Sequence, residues 1–179
     1  KLTLSAGKTL TTGTVTLNSD ATGTATFVDN GNSTVNAVVN QYLTAGRNWY
    51  ISVPVTSVDS SAMSSASAIV CYNEPTASWV SPATATLSPL KGYISTSTKT
   101  TGAISFSGTL NTGNQSIVLT RTASVAKSGF NLLGNPYPSY LDWSLASAAN
   151  PGVMSTIWYR TKTATAYTFD TYNAVCNMH

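Results

Sequence analysis

The sequence predicts an all-β protein, with duplicated β-sandwich-like units behind an N-terminal segment of solenoid-like or hairpin strands. Three observations carry that reading. Apolar residues alternate with Thr and Ser at period two, as in Leu2-Thr3-Leu4, Val15-Thr16-Leu17 and Thr24-Ala25-Thr26-Phe27-Val28, the pattern of half-buried strands. Only 8% of the residues are charged and 42% are apolar, against about 25% charged in ordinary soluble proteins. Polarity therefore comes from hydroxyls and amides, which suits pleated surfaces rich in Thr, and the apolar share is too high for a disordered chain. Finally, the chain repeats itself. Ala45-Gly46-Arg47-Asn48-Trp49-Tyr50-Ile51-Ser52-Val53-Pro54 is echoed 83 residues later by Ser128-Gly129-Phe130-Asn131-Leu132-Leu133-Gly134-Asn135-Pro136-Tyr137. Ile69-Val70-Cys71-Tyr72 with Trp79 is echoed at an offset of 88 by Ile157-Trp158-Tyr159 with Tyr167.

Residues 1–37 read as short strands with turn signals between them, among them Ser5-Ala6-Gly7-Lys8, Asn18-Ser19-Asp20 and Asp29-Asn30-Gly31. They are either rungs of a β-solenoid or plain hairpins, and two or three rungs need a neighbour to stand on. A first β-sandwich unit is expected over 38–122. In it Trp49-Tyr50-Ile51-Ser52-Val53 forms a buried strand stopped by Pro54, and Asp59 or Ser60 caps one or two helical turns in the Ser-rich span that follows. Strands are expected at 68–72, 77–80, 91–96, 103–108 and 115–120, the last two joined by a turn at Leu110-Asn111-Thr112-Gly113-Asn114. A second, related unit is expected over 123–179. It opens on the rigid corner Gly134-Asn135-Pro136-Tyr137-Pro138, continues through a short helix capped by Asp142 or Ser144, and ends with strands at 156–160 and 167–172. It has no counterpart to Leu90-Lys91-Gly92-Tyr93-Ile94-Ser95, so it reads as an incomplete copy from a larger assembly. A first residue of Lys fits a mature form or an excised segment.

Charge and cysteine usage exclude several function classes. The net charge of +3 is spread thinly, with no run of Lys or Arg, which argues against nucleic acid as a partner. No stretch approaches the roughly 18 apolar residues of a membrane-spanning helix. Cys71 and Cys176 are candidates for a disulfide; the alternative is that Cys71, in an apolar run, serves as a small hydrophobe. Neither has the spacing of a zinc site, and no cofactor is expected.

Catalytic constellations are scarce. The single histidine, His179, is the last residue, a poor anchor for a Ser-His-Asp or Cys-His device. Of six acids, Asp20, Asp29 and Asp59 sit in turn contexts, which leaves Glu74, Asp142 and Asp170 for any paired-carboxylate chemistry. Asp29-Asn30-Gly31-Asn32 lacks the length and acid count of a calcium loop and reads as a turn. Aromatic side chains are the other resource. Trp49 and Trp158 lie inside apolar runs where burial is the default, whereas Trp79, Tyr137 and Tyr140 flank prolines and loops and are the candidates for stacking on a sugar ring.

Four stretches together resemble a known family. They are Gln41-Tyr42-Leu43-Thr44-Ala45-Gly46-Arg47-Asn48-Trp49-Tyr50-Ile51-Ser52-Val53-Pro54, Leu90-Lys91-Gly92-Tyr93, Ile104-Ser105-Phe106-Ser107-Gly108-Thr109-Leu110-Asn111-Thr112-Gly113 and Gly129-Phe130-Asn131-Leu132-Leu133-Gly134-Asn135-Pro136-Tyr137-Pro138-Ser139. The likeness is to the distal, β-rich region of large secreted and cell-surface proteins of Bacteroidetes, which precedes a type IX secretion sorting domain. The resemblance implies an extracellular or cell-surface location and structural or adhesive use, with no catalytic residues to carry over. Family members usually continue with a further glycine-plus-aromatic strand and the sorting domain, which this sequence lacks. The expectation is a non-enzymatic adhesin-like module. The alternative is a carbohydrate-binding module using its loop aromatics. The partners expected are a surface glycan or a strand-donating chain, and self-association is an outcome of the latter.

Overall fold

A computed structural model describes residues 1–31, 33–162 and 167–175. The protein is all-β, with strands in several sheets and almost no helix. It divides into two compact units, 1–140 and 141–179.

In the first unit the strands are β1 (Leu2–Leu4), β2 (Thr14–Leu17), β3 (Phe27–Asp29), β4 (Asn36–Leu43), β5 (Trp49–Ile51), β6 (Val58–Asp59), β7 (Ala68–Asn73), β8 (Ser78–Val80), β9 (Thr86–Leu87), β10 (Tyr93–Thr96) and β11 (Gly102–Thr109). The N-terminal strands form neither of the expected arrangements. β3 and β4 flank the Asp29 turn without pairing; β1 pairs parallel with β3, and β2 parallel with β4. The chain thus alternates between two small sheets for a single step, too short for a solenoid. Asp29 explains why no hairpin closes here: its carboxylate accepts the N–H of Gly31 (2.7 Å) and of Ser33 (2.8 Å), turning the backbone into β4 and its pairing with β2 and β11.

Two sheets dominate the unit, one ordered β5-β10-β7-β8 and the other β11-β4-β2. Both feed a single core. Ile51, Cys71 and Tyr93 come from the first sheet and Leu17, Val39, Leu43, Ile104 and Phe106 from the second. In β11 the buried positions Ile104 and Phe106 alternate with exposed Ala103 and Ser105, the period-two pattern of a sheet with one wet face. Asp59 caps a single 3₁₀ turn, Ser60–Met63, by accepting the Ser61 N–H at 2.8 Å, and buried Met63 anchors that turn to the core.

The repeated motif has a physical explanation. Gly46 and Gly129 stand 83 residues apart and both adopt positive φ, 75° and 83°, a region that costs any residue with a Cβ. The Asn two positions later bonds to backbone in each copy. Asn48 Oδ1 accepts the Ser97 N–H at 2.8 Å, and Asn131 Nδ2 donates to the carbonyls of Thr120 and Gly129, each at 3.0 Å. The two proline-bounded ends then meet. Ser52 Oγ donates to the carbonyl of Asn135, its own repeat equivalent, at 2.6 Å. Buried Asn111 Nδ2 donates to the carbonyls of Val53 (3.1 Å) and Pro136 (2.8 Å), another equivalent pair, and to Val55 (3.1 Å).

Glycines let these backbones approach. A Cβ at Gly134 would overlap that of Ser52, and one at Gly92 would lie 2.6 Å from Leu132 Cγ. Residues 123–140, expected to open the second unit, are thereby tied into the first. The strand expected at 115–120 does not form: 111–120 contains no paired strand, and Asn111 is a buried hub instead of a turn tip.

The second unit holds α1 (Trp143–Ala148) and a two-stranded antiparallel sheet of β12 (Thr156–Lys162) and β13 (Tyr167–Asn173). Asp142 caps α1 through the N–H groups of Ser144 and Leu145. Trp143 Nε1 donates to the Ser155 carbonyl, and Ser144 shares a 2.9 Å hydrogen bond with the Tyr172 hydroxyl. The short helix is thus pinned to the base of the hairpin.

Candidate functional site

The three aromatic residues singled out for stacking have different surroundings. Trp79, on β8, is 50% exposed and lies edge-on to Tyr72, with ring centroids 5.2 Å apart at 63°. Tyr137 is half-buried, and its hydroxyl donates to the Gly113 carbonyl at 2.5 Å, so its polar edge is used inside the protein. Tyr140 is 90% exposed and makes neither a ring contact nor a side-chain hydrogen bond among the described residues. No contact joins Trp79 to either tyrosine among the described residues, so each ring stands as a separate feature. Tyr72 adds a polar group that the sequence did not advertise: its hydroxyl is shut off from solvent without a partner among the described residues, next to the exposed Trp79 ring.

Each carboxylate has a local role. Asp20 Oδ1 accepts the Thr22 hydroxyl, the Thr22 N–H and the Gly23 N–H, and the hydroxyl contributes most to holding its carboxyl below the usual range. Asp59 is lowered by the Ser61 hydroxyl and then by the Ser61 N–H. Asp142 caps α1, and Asp170 accepts the Thr171 N–H. On β12, Tyr159 is pushed above its ordinary range by burial and by the charge of Asp170, its partner across the hairpin.

Glu74 is the unusual member. Its residue is 2% exposed, and among the described residues its bonds run to neutral donors. Oε1 accepts the N–H of Gly129 (2.8 Å) and of Thr122 (2.8 Å), and Oε2 accepts the Thr122 hydroxyl (2.9 Å). The Gly129 N–H leads in lowering its carboxyl to about 2, followed by the Thr122 N–H. The loop folded over this carboxylate carries positive φ at Ser124, Lys127 and Gly129. The sequence signal was weak. A Glu-Pro pair after a strand suggests a turn, whereas the partners of Glu74 lie 48 and 55 residues away.

No group of three or more His, Cys, Asp or Glu side chains comes together among the described residues. Cys71 is buried in the core, while Cys176 and His179 lie outside the described residues, and with them the disulfide pairing. The larger surface depression, about 500 Å³, is lined by Asp59, Ser61, Met63, Ile69, Pro82 and Thr84 among others, and its one carboxylate already serves as a cap. Among the described residues no helix is long and apolar enough to cross a membrane.

Comparison with protein-family models, with curated protein sequences and with solved structures returns no match for this chain.

Proposed function

We propose that this chain is a non-enzymatic structural or adhesive module of an extracellular or cell-surface bacterial protein, of the kind its Gly-Asn-Pro-Tyr-Pro and Lys-Gly-Tyr motifs resemble. The observation that carries the reading is the use made of its acidic groups. Asp20, Asp29, Asp59, Glu74 and Asp142 each accept two or more backbone or hydroxyl donors from a turn, loop or helix start that they hold in place. Those with a lowered carboxyl are fixed in the charged form and are poorly suited to general acid work near neutral pH. Support also comes from the motif itself, whose Gly, Asn and Pro positions serve backbone packing. The location is tested by protease shaving of intact Bacteroidetes cells that express the parent protein. Loss of these epitopes from the surface is the expected result, and their full protection inside the cell would end the proposal.

One observation favours a second reading, a carbohydrate-binding module: the exposed Trp79 ring braced by Tyr72. In that reading Trp79→Ala abolishes retention on a glycan array with no change in fold, and an array that retains nothing argues for a purely structural role.

A further inference from the structure

β7 and β12 are repeat equivalents at an offset of 88, and the side-chain contacts support the equivalence. Where Tyr72 meets Trp79 edge-on in the first hairpin, the Arg160 guanidinium lies over the Tyr167 ring at 4.4 Å in the second. The sheet order around β7 is β10-β7-β8, so the hairpin β7-β8 is completed on its far edge by β10. There Thr96 pairs with Ala68, Ser95 with Ile69 and Ile94 with Val70. Moved by 88 residues, those positions of β7 become Thr156, Ile157 and Trp158 of β12. Among the described residues β12 pairs with β13 alone, so the edge that corresponds to the β10 side has no strand on it.

Such an edge presents a row of backbone donors and acceptors that templates another strand, and a lone two-stranded sheet is marginal in water. This hairpin also keeps large apolar rings in solvent. Trp158 and Phe169 occupy one face and are 44% and 65% exposed.

We propose that the free edge of β12 binds an extended segment of another polypeptide with the chemistry of β10, a glycine followed by an aromatic and then apolar and hydroxyl residues, as in Gly92-Tyr93-Ile94-Ser95-Thr96. The segment adds antiparallel across Thr156, Ile157 and Trp158, with main-chain hydrogen bonds supplying affinity and the exposed rings supplying cover. A second folded copy is a poor donor of this segment, because its own β10 is held between β5 and β7. The inference rests on the repeat and on the open edge, and holds whether or not the module also binds sugar.

The test is amide hydrogen exchange on the intact chain with a synthetic peptide of residues 90–97 supplied in trans. The peptide slows exchange at 156–158 by about tenfold or more, while the same peptide with Ile94→Pro, which lacks a ladder donor, has no effect. Three results overturn the proposal: no slowing at millimolar peptide, equal slowing by the proline peptide, or amides at 156–158 already protected in a chain that light scattering shows to be a dimer. In the last case a second copy closes the edge.

Discussion

Two hairpins of this chain carry large side chains at matching positions and sit in different company. In β7-β8 the Tyr72 and Trp79 rings pack within a four-stranded sheet whose inner face reaches a core of fully buried residues. In β12-β13 the corresponding pair is Arg160 over Tyr167, in a sheet of two strands whose side chains stay largely exposed along β13. The local pattern therefore sets the hairpin and its diagonal contact in both places. Burial depends on neighbouring strands, and only the first hairpin has them.

The comparison is broken most directly by deleting one aromatic ring from each unit. Phe106 is 0% exposed and Phe169 is 65% exposed. Phe106→Ala removes a closely packed ring and costs the first unit about 3–5 kcal/mol, as truncations of buried Phe do. Phe169→Ala falls within about 0.5 kcal/mol of the parent, as surface changes do. Urea unfolding followed by unit-resolved hydrogen exchange measures both, and a large loss at Phe169 would mean that its face is covered in solution.

The next effect concerns the junction of the two motif copies. Asn111→Ala strips the donor from the carbonyls of Val53, Val55 and Pro136 at once, in a site closed to water. The expected destabilisation is about 1–3 kcal/mol, with faster exchange along 131–138. Asn111→Asp is expected to be worse than Asn111→Ala, since it sets an acceptor against three acceptors.

A smaller effect asks whether the copies remain equivalent at their glycines. Gly46→Ala and Gly129→Ala each force a Cβ into the left-handed region, at about 1 kcal/mol per site. Gly46 has open space around it, whereas a Cβ at Gly129 meets the Arg121 side chain at 3.4 Å, so the second copy is expected to lose slightly more. Matched thermal melts of the two variants read the difference.

The sequence made the all-β class legible because period-two alternation and turn residues are local signals. Asp59 and Asp142 were readable as caps for the same reason, since each bonds within three residues of itself. What escaped is long-range. β1 finds β3 at a separation of 25 residues, Asn111 reaches corners 25 and 58 residues away, and Glu74 closes a loop 55 residues on. Such partners are chosen by packing, and the residues themselves look like ordinary turn formers. The segment 115–120 shows the converse: Ile117-Val118-Leu119 has strand propensity but no ladder to join, and Val118 is left 90% exposed.

The subtlest test separates the hairpins by pH. Glu74, in the turn of the first hairpin, holds the Gly129 loop only while ionised, and its carboxyl lies at about 2 in the fold. An unfolded Glu titrates near 4.3, so the folded value is depressed and the stabilisation is complete above roughly pH 4.3. It declines as pH falls through that value and is gone below about 2. Exchange at the Thr122 and Gly129 amides, corrected for intrinsic rates, is therefore expected to accelerate from pH 4.5 to pH 2. Glu74→Gln keeps an oxygen for both N–H donors and turns the other contact into an amide donating to the Thr122 hydroxyl. That variant is expected to differ little from the parent at pH 7 and to show a flat acid profile at these two amides. An acid response that persists in Glu74→Gln would assign it to another group and leave the carboxylate a passive filler of the loop.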